Sequence, residues 1–210
     1  MNSDSKMADP LEPLTSILVL LGTASFMIVI ALVFSGFNFF KPSTAKNKAA
    51  AKVAVGIVLG LLAIFGTVMG TKLADGTIIN VRELAAMIAG LAGGPIGGLI
   101  AGVIGGVHRY TLAGATALPC TVSTILIGIV SGLVSTRIMG KLYLLKGAAL
   151  GFVLESTAMG LILVLVPFSQ AWGIVEKIAV PMITANTVGL VLWLYLANKW
   201  KQPAEPKTVT

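Results

Sequence analysis

Long uncharged stretches are the feature that most restricts how this chain of 210 residues can fold. A helix needs roughly 20 residues to cross the hydrocarbon core of a bilayer, where the backbone must hydrogen-bond within its own segment. Strands are not expected, because no stretch shows the two-residue alternation of a membrane barrel. Membrane helices are therefore predicted in the uncharged stretches 14–40, 53–71, 84–107, 110–136 and 178–198, and in 147–175, which only Glu155 interrupts.

The composition agrees with this prediction. Apolar residues make up 56% of the chain and charged residues only 11%, whereas soluble domains carry about 25% charged residues. These values exclude a soluble enzyme and a disordered chain, and a single cysteine excludes an internal disulfide framework. We predict an all-α polytopic membrane protein, in which one N-terminal helix precedes a six-segment helical core.

Lysine and arginine are concentrated in three segments, at 41–52, 137–146 and 199–207. Because such residues mark cytoplasmic loops, we expect these segments in the cytoplasm and the N-terminus outside a bacterial or archaeal inner membrane. The net charge of +7 then reflects topology and contact with anionic lipid, and no nucleic-acid binding is expected. The predicted divisions are an external segment at 1–13, one membrane domain at 14–198 (sensor-like core at about 50–198) and a cytoplasmic polar tail at 199–210.

The segment between Val81 and Arg109 must begin and end outside for this topology to hold. A single straight helix would cross the membrane and reverse the order of the later helices. Gly94-Pro95 offers a break, because proline removes a backbone donor and clashes with the preceding turn. We therefore predict a short helical hairpin with arms at about 81–93 and 95–108; one kinked helix is the alternative.

Glycine recurs through this hairpin at helical spacing. Small residues four apart allow membrane helices to approach backbone to backbone. So many glycines weaken a helix, which indicates either an unusually tight helix pair or a cavity roofed by backbone, beyond ordinary close packing. One row comprises Gly90, Gly94, Gly98, Gly102 and Gly106, and the adjacent row comprises Gly93, Gly97 and Gly105.

Two arginines flank the predicted hairpin. Arg82 opens the first arm, just after Asn80, and Arg109 closes the second. A hairpin brings both guanidiniums to the same outer side, whereas one straight helix would separate them by ~40 Å. Polar groups in membrane segments are costly and mark functional sites. The alternative is that the arginines extend to lipid headgroups or pair with Glu83 and Asp75.

Pro119 predicts the start of the next helix, with Cys120, Ser123 and Thr124 in its first turns. A helix N-terminus favours anions, and arginine binds a carboxylate with two parallel hydrogen bonds. A pocket for a small carboxylate is therefore predicted, in which the two arginines clamp the ligand, Ser123 donates a hydrogen bond and Cys120 lines the wall. Cys120 could equally be a small apolar filler.

Two further polar residues lie within predicted helices. Glu155 is expected to form a structural hydrogen bond with Asn186, and the alternative is that it couples proton binding to conformation. No metal or other cofactor is expected, because His108 is the only histidine and no cluster has ligand spacing. Nucleotide binding is not indicated either, since no glycine-rich loop follows a strand.

The combined motifs resemble the membrane sensor domain of LytS-YhcK-type receptors, the five-transmembrane LYT family. The resemblance implies a domain that senses small extracellular ligands, pyruvate-like in some members, and drives a cytoplasmic histidine kinase or diguanylate cyclase. It also implies a site formed by Arg82, Arg109, Cys120 and Ser123. The motifs are Asn80-Val-Arg82, Gly94-Pro95-x-x-Gly98-x-x-x-Gly102, His108-Arg-Tyr110, Cys120-x-x-Ser123-Thr124, Gly151-x-x-x-Glu155-x-x-x-Met159 and Pro181-Met-x-x-x-Asn186-x-x-Gly189.

The chain departs from this family in ending on a short polar tail. We expect no kinase or cyclase in the chain itself, so that it signals through a partner or is a fragment; a homodimer is left open. The hairpin also looks like those of substrate-binding subunits of energy-coupling-factor transporters, which is the alternative function. A membrane scaffold without a ligand is a third class.

Overall fold

The computed structural model describes residues 11–36, 47–73 and 76–201. Within these residues it contains six helices, each long and apolar enough to cross a membrane. This confirms the prediction of an all-α polytopic membrane protein. The elements are α1 (Leu11–Gly36), α2 (Lys48–Val68), β1 (Thr71–Lys72), β2 (Ile78–Ile79), α3 (Arg82–Thr111), α4 (Ala117–Ile138), α5 (Tyr143–Leu165) and α6 (Phe168–Lys201).

Helix α3 is a hairpin of two arms that meet at Gly94. The φ and ψ of Gly94 are 69° and −168°, a conformation that interrupts the helix immediately before Pro95. A Cβ atom added at Gly98 would lie 3.0 Å from the Cα of Gly90, and one at Gly105 would lie 3.4 Å from the side chain of Arg82. The arms 82–93 and 95–111 therefore run antiparallel, as predicted, and the second arm extends three residues beyond the predicted end.

Helix α4 packs backbone to backbone against this hairpin. An added Cβ at Gly98 would collide with the carbonyl oxygen of Gly128, and one at Gly102 would lie 2.8 Å from the Cα of Ile125. Added at Gly90, it would lie 2.5 Å from the carbonyl oxygen of Gly128. Only glycine permits these approaches, so the glycine row serves a tight helix pair.

Helix α2 covers the other side of the hairpin. A Cβ at Gly97 would lie 3.3 Å from the carbonyl oxygen of Lys52, and one at Gly105 would lie 2.7 Å from the Cβ of Ala63. A Cβ added at Gly66, near the end of α2, would lie 3.3 Å from the backbone nitrogen of Arg82. The start of α2 therefore lies beside the apex of the hairpin, and its end lies beside the two chain ends of the hairpin.

Helices α5 and α6 run antiparallel and complete the bundle, with α1 packed on α6. An added Cβ at Gly151 would lie 3.1 Å from the Cα of Thr187, and one at Gly189 would lie 3.5 Å from the Cβ of Ala24. At the start of α5, Tyr143 accepts a hydrogen bond from Asn198 near the end of α6. The start of α5 and the end of α6 thus lie at the same end of the bundle.

The bundle has two chemically different ends. We call the end that carries Arg82, Arg109 and the loop residues 69–73, 76–81 and 112–116 the mouth, and the opposite end the basic end. The hairpin enters and leaves at the mouth, with its apex toward the basic end. Cationic residues of the basic end are Lys48, Lys52, Arg137, Lys141, Lys146 and Lys199.

Two predictions about the elements need correction. Strands were not expected, yet Thr71–Lys72 pairs antiparallel with Ile78–Ile79 in the loop between α2 and α3, where the strands need not satisfy their backbone in lipid. The uncharged stretch 178–198 understates α6, which begins directly after Pro167. Glu176 and Lys177 lie on the exposed surface of that helix, so they do not bound it.

Several predictions fall outside the described residues. The segment 1–10, the lysines at 41 and 46, Asp75 and the tail from residue 202 onward belong to this set.

Candidate functional site

Arg82 lies in the first turn of α3 with its side chain fully buried. Its Nε donates to the hydroxyl oxygen of Thr124 over 2.7 Å, and Nη2 pairs with the carboxylate of Glu83. The remaining nitrogen, Nη1, has no hydrogen-bond partner among the residues that the structure describes. A buried charge is tolerated when it is paired, and the carboxylate of Glu83 pairs with the guanidinium of Arg82 here. One N–H group of this guanidinium is therefore open to a further acceptor.

Glu83 is itself completely buried beside Arg82. Its Oε1 atom also lies 3.2 Å from the hydroxyl of Thr124, whereas Oε2 has no partner within the described part of the chain. The alternative in which Arg82 pairs with Glu83 is thus correct. The corresponding pairing of Arg109 with Asp75 involves a residue outside the described ranges.

Arg109 lies near the end of the second arm and is also fully buried. Its Nη1 donates to the carbonyl oxygen of Ala113 over 2.7 Å, and its Nη2 donates to the hydroxyl of Thr116 over 2.8 Å. Ala113 and Gly114 have φ values of 54° and 93° in the turn that presents this carbonyl. Nε has no partner, and the guanidinium forms no ion pair with any described residue. Among the described residues, Arg109 therefore has no acidic partner and retains one open donor.

Cys120 lies between the two arginines. It is 6% exposed, and its thiol interacts with the guanidiniums of both Arg82 and Arg109. Helix α4 begins at Ala117, so Pro119 lies in its first turn as predicted. The hairpin and the start of α4 together bring two guanidiniums and one thiol to the mouth.

Ser123 and Thr124 follow on the same buried face of α4. The hydroxyl of Ser123 donates to the carbonyl oxygen of Cys120 over 3.0 Å. Thr124 lies 2.7 Å from the same carbonyl and accepts from Arg82. The donor of Ser123 is thus used within the helix, while Thr124 directly positions a guanidinium.

Asn80 and Asn186 hold the start of α3. Asn80 donates to the carbonyl oxygen of Ile78 over 2.8 Å and accepts from the backbone N–H of Arg82 over 3.0 Å. Asn186 of α6 accepts from the backbone N–H of Leu84 over 3.1 Å and donates to the backbone oxygen of Asn80 over 3.4 Å. The first N–H groups of a helix lack acceptors within that helix, and the side-chain oxygens of Asn80 and Asn186 supply two of these acceptors.

Glu155 is fully buried in α5. Its carboxyl group interacts with Asn186 and with the charges of Glu83 and Arg82, but neither oxygen forms a hydrogen bond with a described residue. Asn186 instead directs its amide to the backbone oxygens of Asn80 and Met182. Glu155 and Asn186 are therefore neighbours in this structure without a bond between them.

Glu83 and Thr116 were not assigned to the site from the sequence. Thr116 could have been found, because it lies four residues before Cys120 and thus on the same helical face. Glu83 was expected only as an alternative partner of an arginine.

Within residues 11–36, 47–73 and 76–201, no group of three or more His, Cys, Asp or Glu side chains could hold a metal ion.

A separate small apolar pocket of about 40 Å³ lies between α1, α2, α3 and α6. Phe34, Val55, Ile88 and Trp193 are among the residues that line it. Its lining side chains are apolar, so the pocket lacks the charged groups that distinguish the mouth.

Fold and site together define a helical membrane domain with a buried, cationic polar cluster at one end. The family model described as "5TMR of 5TMR-LYT" matches residues 34–199 of this chain. The chain therefore belongs to the LytS-type five-transmembrane sensor family, which confirms the resemblance found in its motifs.

Curated relatives agree with this assignment. The chain is 34% identical over 186 residues to the sensor histidine kinase BtsS of Escherichia coli, a match that covers 85% of this chain and 33% of the relative. It is 42% identical over 125 residues to the sensor protein LytS of Bacillus subtilis, covering 57% and 21% respectively. The sensor histidine kinase YpdA of Escherichia coli is 32% identical over 190 residues, covering 87% and 33%.

The chain thus spans about a third of the length of BtsS and YpdA. It corresponds to the membrane sensor part of such proteins, and no kinase domain lies within the described residues. No solved structure matches the chain.

Proposed function

We propose that the mouth binds a small, pyruvate-like carboxylate and that the occupied state signals to a cytoplasmic histidine kinase output. One observation carries the proposal. Two fully buried guanidiniums, one from each end of the hairpin, each retain an N–H group without a hydrogen-bond partner among the described residues, namely Nη1 of Arg82 and Nε of Arg109. Buried donors of a charged group are costly to leave unpaired, so a ligand that accepts from both is favoured.

A carboxylate suits these two donors. Its oxygens accept charge-assisted hydrogen bonds. The hydroxyl of Thr124 holds Arg82 and the hydroxyl of Thr116 holds Arg109, each by a hydrogen bond. Such fixed side chains lose little conformational entropy when the ligand binds. Cys120 then lies beside the ligand, and Ser123 is one turn further along α4.

Signal transmission is proposed to run through Asn186. This residue links the start of α3, where Arg82 lies, to α6, which ends at the basic end. Glu155 adjoins the same link from α5. A ligand that moves Arg82 would therefore change how α6 packs, provided that it binds the two packings with different affinity.

The orientation of the domain follows from the same proposal. Positively charged ends of membrane helices remain in the cytoplasm, so we propose that the basic end lies inside and the mouth outside. The end of α6 then reaches the side on which a kinase domain operates. The relatives BtsS and YpdA are named sensor histidine kinases, which supports an output of this kind.

Isothermal titration of the purified chain with pyruvate tests the binding site. We expect saturable binding by the wild type and at least a tenfold loss of affinity in Arg109→Ala, because a positive charge and one charge-assisted donor are removed. Arg137→Ala, at the exposed basic end, is the matched control and is expected to bind like the wild type. Equal affinity of Arg109→Ala and the wild type would remove the proposed site.

A further inference from the structure

Glu83 is the one acidic side chain in direct contact with a guanidinium of the mouth among the described residues. We propose that Glu83 determines specificity, restricting the mouth to monocarboxylates and excluding dicarboxylates of similar size. This inference rests on the proposed carboxylate-binding function, and it assigns to Glu83 a role in selection that the binding proposal does not require.

The charges of the mouth support a single negative charge on the ligand. Glu83 compensates Arg82 through their ion pair. Arg109 donates to neutral oxygens, those of Ala113 and Thr116, and forms no ion pair with a described acidic side chain. Glu155 forms no ion pair within 4 Å of any described cation. Arg82, Glu83 and Arg109 together therefore carry one net positive charge, which one carboxylate neutralises.

A second carboxylate would meet an unfavourable environment. The Oε2 atom of Glu83 is buried and accepts no hydrogen bond from any described residue, so its negative charge is not offset by a second donor there. Its Oε1 atom is held by Arg82 and lies beside the hydroxyl of Thr124, which prevents Glu83 from turning away without loss of two contacts. A like charge in a buried site is strongly disfavoured, and exclusion by such repulsion is a general source of specificity.

The first test uses the wild-type chain alone. Isothermal titration at one pH and ionic strength compares pyruvate with oxalate and malonate, two dianions of similar size, and with neutral pyruvamide. We expect pyruvate to bind at least about tenfold more tightly than either dianion, with pyruvamide weaker than pyruvate. A wild type that binds oxalate or malonate as tightly as pyruvate would overturn the role of Glu83.

The second test changes Glu83. In Glu83→Gln, which keeps the shape and removes the charge, the affinity ratio of pyruvate to malonate should fall by about tenfold, mainly through tighter malonate binding. Glu83→Asp keeps the charge and should keep the ratio. Thr116→Val removes a neutral partner of Arg109 and should weaken both ligands without changing their ratio.

The outcomes separate this inference from the proposed function. If the wild type binds none of the anions, the carboxylate site itself is refuted. If pyruvate binds and Glu83→Gln leaves the ratio of pyruvate to malonate unchanged, the binding site stands and the selectivity role of Glu83 is refuted. If Glu83→Gln does not fold, a wild type that binds malonate as tightly as pyruvate still refutes the role of Glu83, and Glu83→Asp, which keeps the charge, should keep the preference for pyruvate.

Discussion

Asn186 in α6 accepts a hydrogen bond from the backbone N–H of Leu84 over 3.1 Å, although 102 residues separate the two in the chain. This bond satisfies one of the first N–H groups of α3, which has no acceptor within its own helix. The same amide donates to the backbone oxygen of Asn80. One side chain of α6 therefore holds the segment on which Arg82 is mounted.

We expect Asn186→Ala to lower the free energy of unfolding by about 1–3 kcal/mol, because the N–H of Leu84 is left buried and unsatisfied. Thermal unfolding of the purified protein measures this change. Asn198→Ala is the matched control on the same helix, since Asn198 makes one partly buried bond to Tyr143 and should matter less. Equal destabilisation by both variants would argue against a special role for Asn186.

Thr116→Val is expected to weaken pyruvate binding several-fold, by about 1 kcal/mol for one lost neutral acceptor. The hydroxyl of Thr116 accepts from Arg109, and without it the guanidinium is less firmly oriented. Thr121→Val is the control, because Thr121 lies on the same helix and bonds only backbone oxygens of Gly106 and Ala117. Titration of both variants is the measurement; an equal loss in the two would show that orientation of Arg109 is not the cause.

Gly98→Ala is expected to destabilise the fold by ~1–3 kcal/mol or more, because its Cβ would collide with the carbonyl oxygen of Gly128 and push α3 from α4. Gly160→Ala serves as the control. A Cβ at Gly160 meets nothing within 4 Å, and alanine is the better helix former, so no loss is expected. Thermal unfolding of the two variants compares them, and a tolerated Gly98→Ala would contradict the close approach.

The hairpin predicts the sidedness of single cysteines introduced into a background without Cys120. Lys72→Cys and Leu112→Cys flank the hairpin at exposed positions, so an impermeant maleimide should label both from the same side. Lys141→Cys at the basic end should be labelled from the other side. Labelling of positions 72 and 112 from opposite sides would mean that α3 crosses the membrane once.

The architecture was predictable because membrane insertion depends on local properties of the chain. Uncharged stretches of about 20 residues mark helices wherever they occur. Gly94-Pro95 breaks α3 because the proline lacks an N–H and the glycine adopts a φ of 69° without a steric cost. The boundary between α5 and α6 was less well predicted, because charged residues such as Glu176 can remain exposed on a helix surface.

The composition of the candidate site was predictable only in part. Arg82, Arg109, Cys120 and Thr124 were expected together, since the hairpin brings both of its ends to the start of α4. Of the residues that orient these groups, Thr124 was assigned from the sequence, whereas Thr116 was not, although it lies four residues before Cys120.

From the order of its residues alone, this chain specifies membrane helices, a hairpin at Gly94 and two arginines at one end, because each follows from local hydrophobicity and backbone conformation. The packing of the helices determines which polar atoms remain without partners. Glu83 compensates Arg82, while no described acidic side chain pairs with Arg109, since hydrogen-bond partners depend on which helix faces meet across the bundle. That difference sets the net charge of the mouth, and with it the proposed preference for a monocarboxylate.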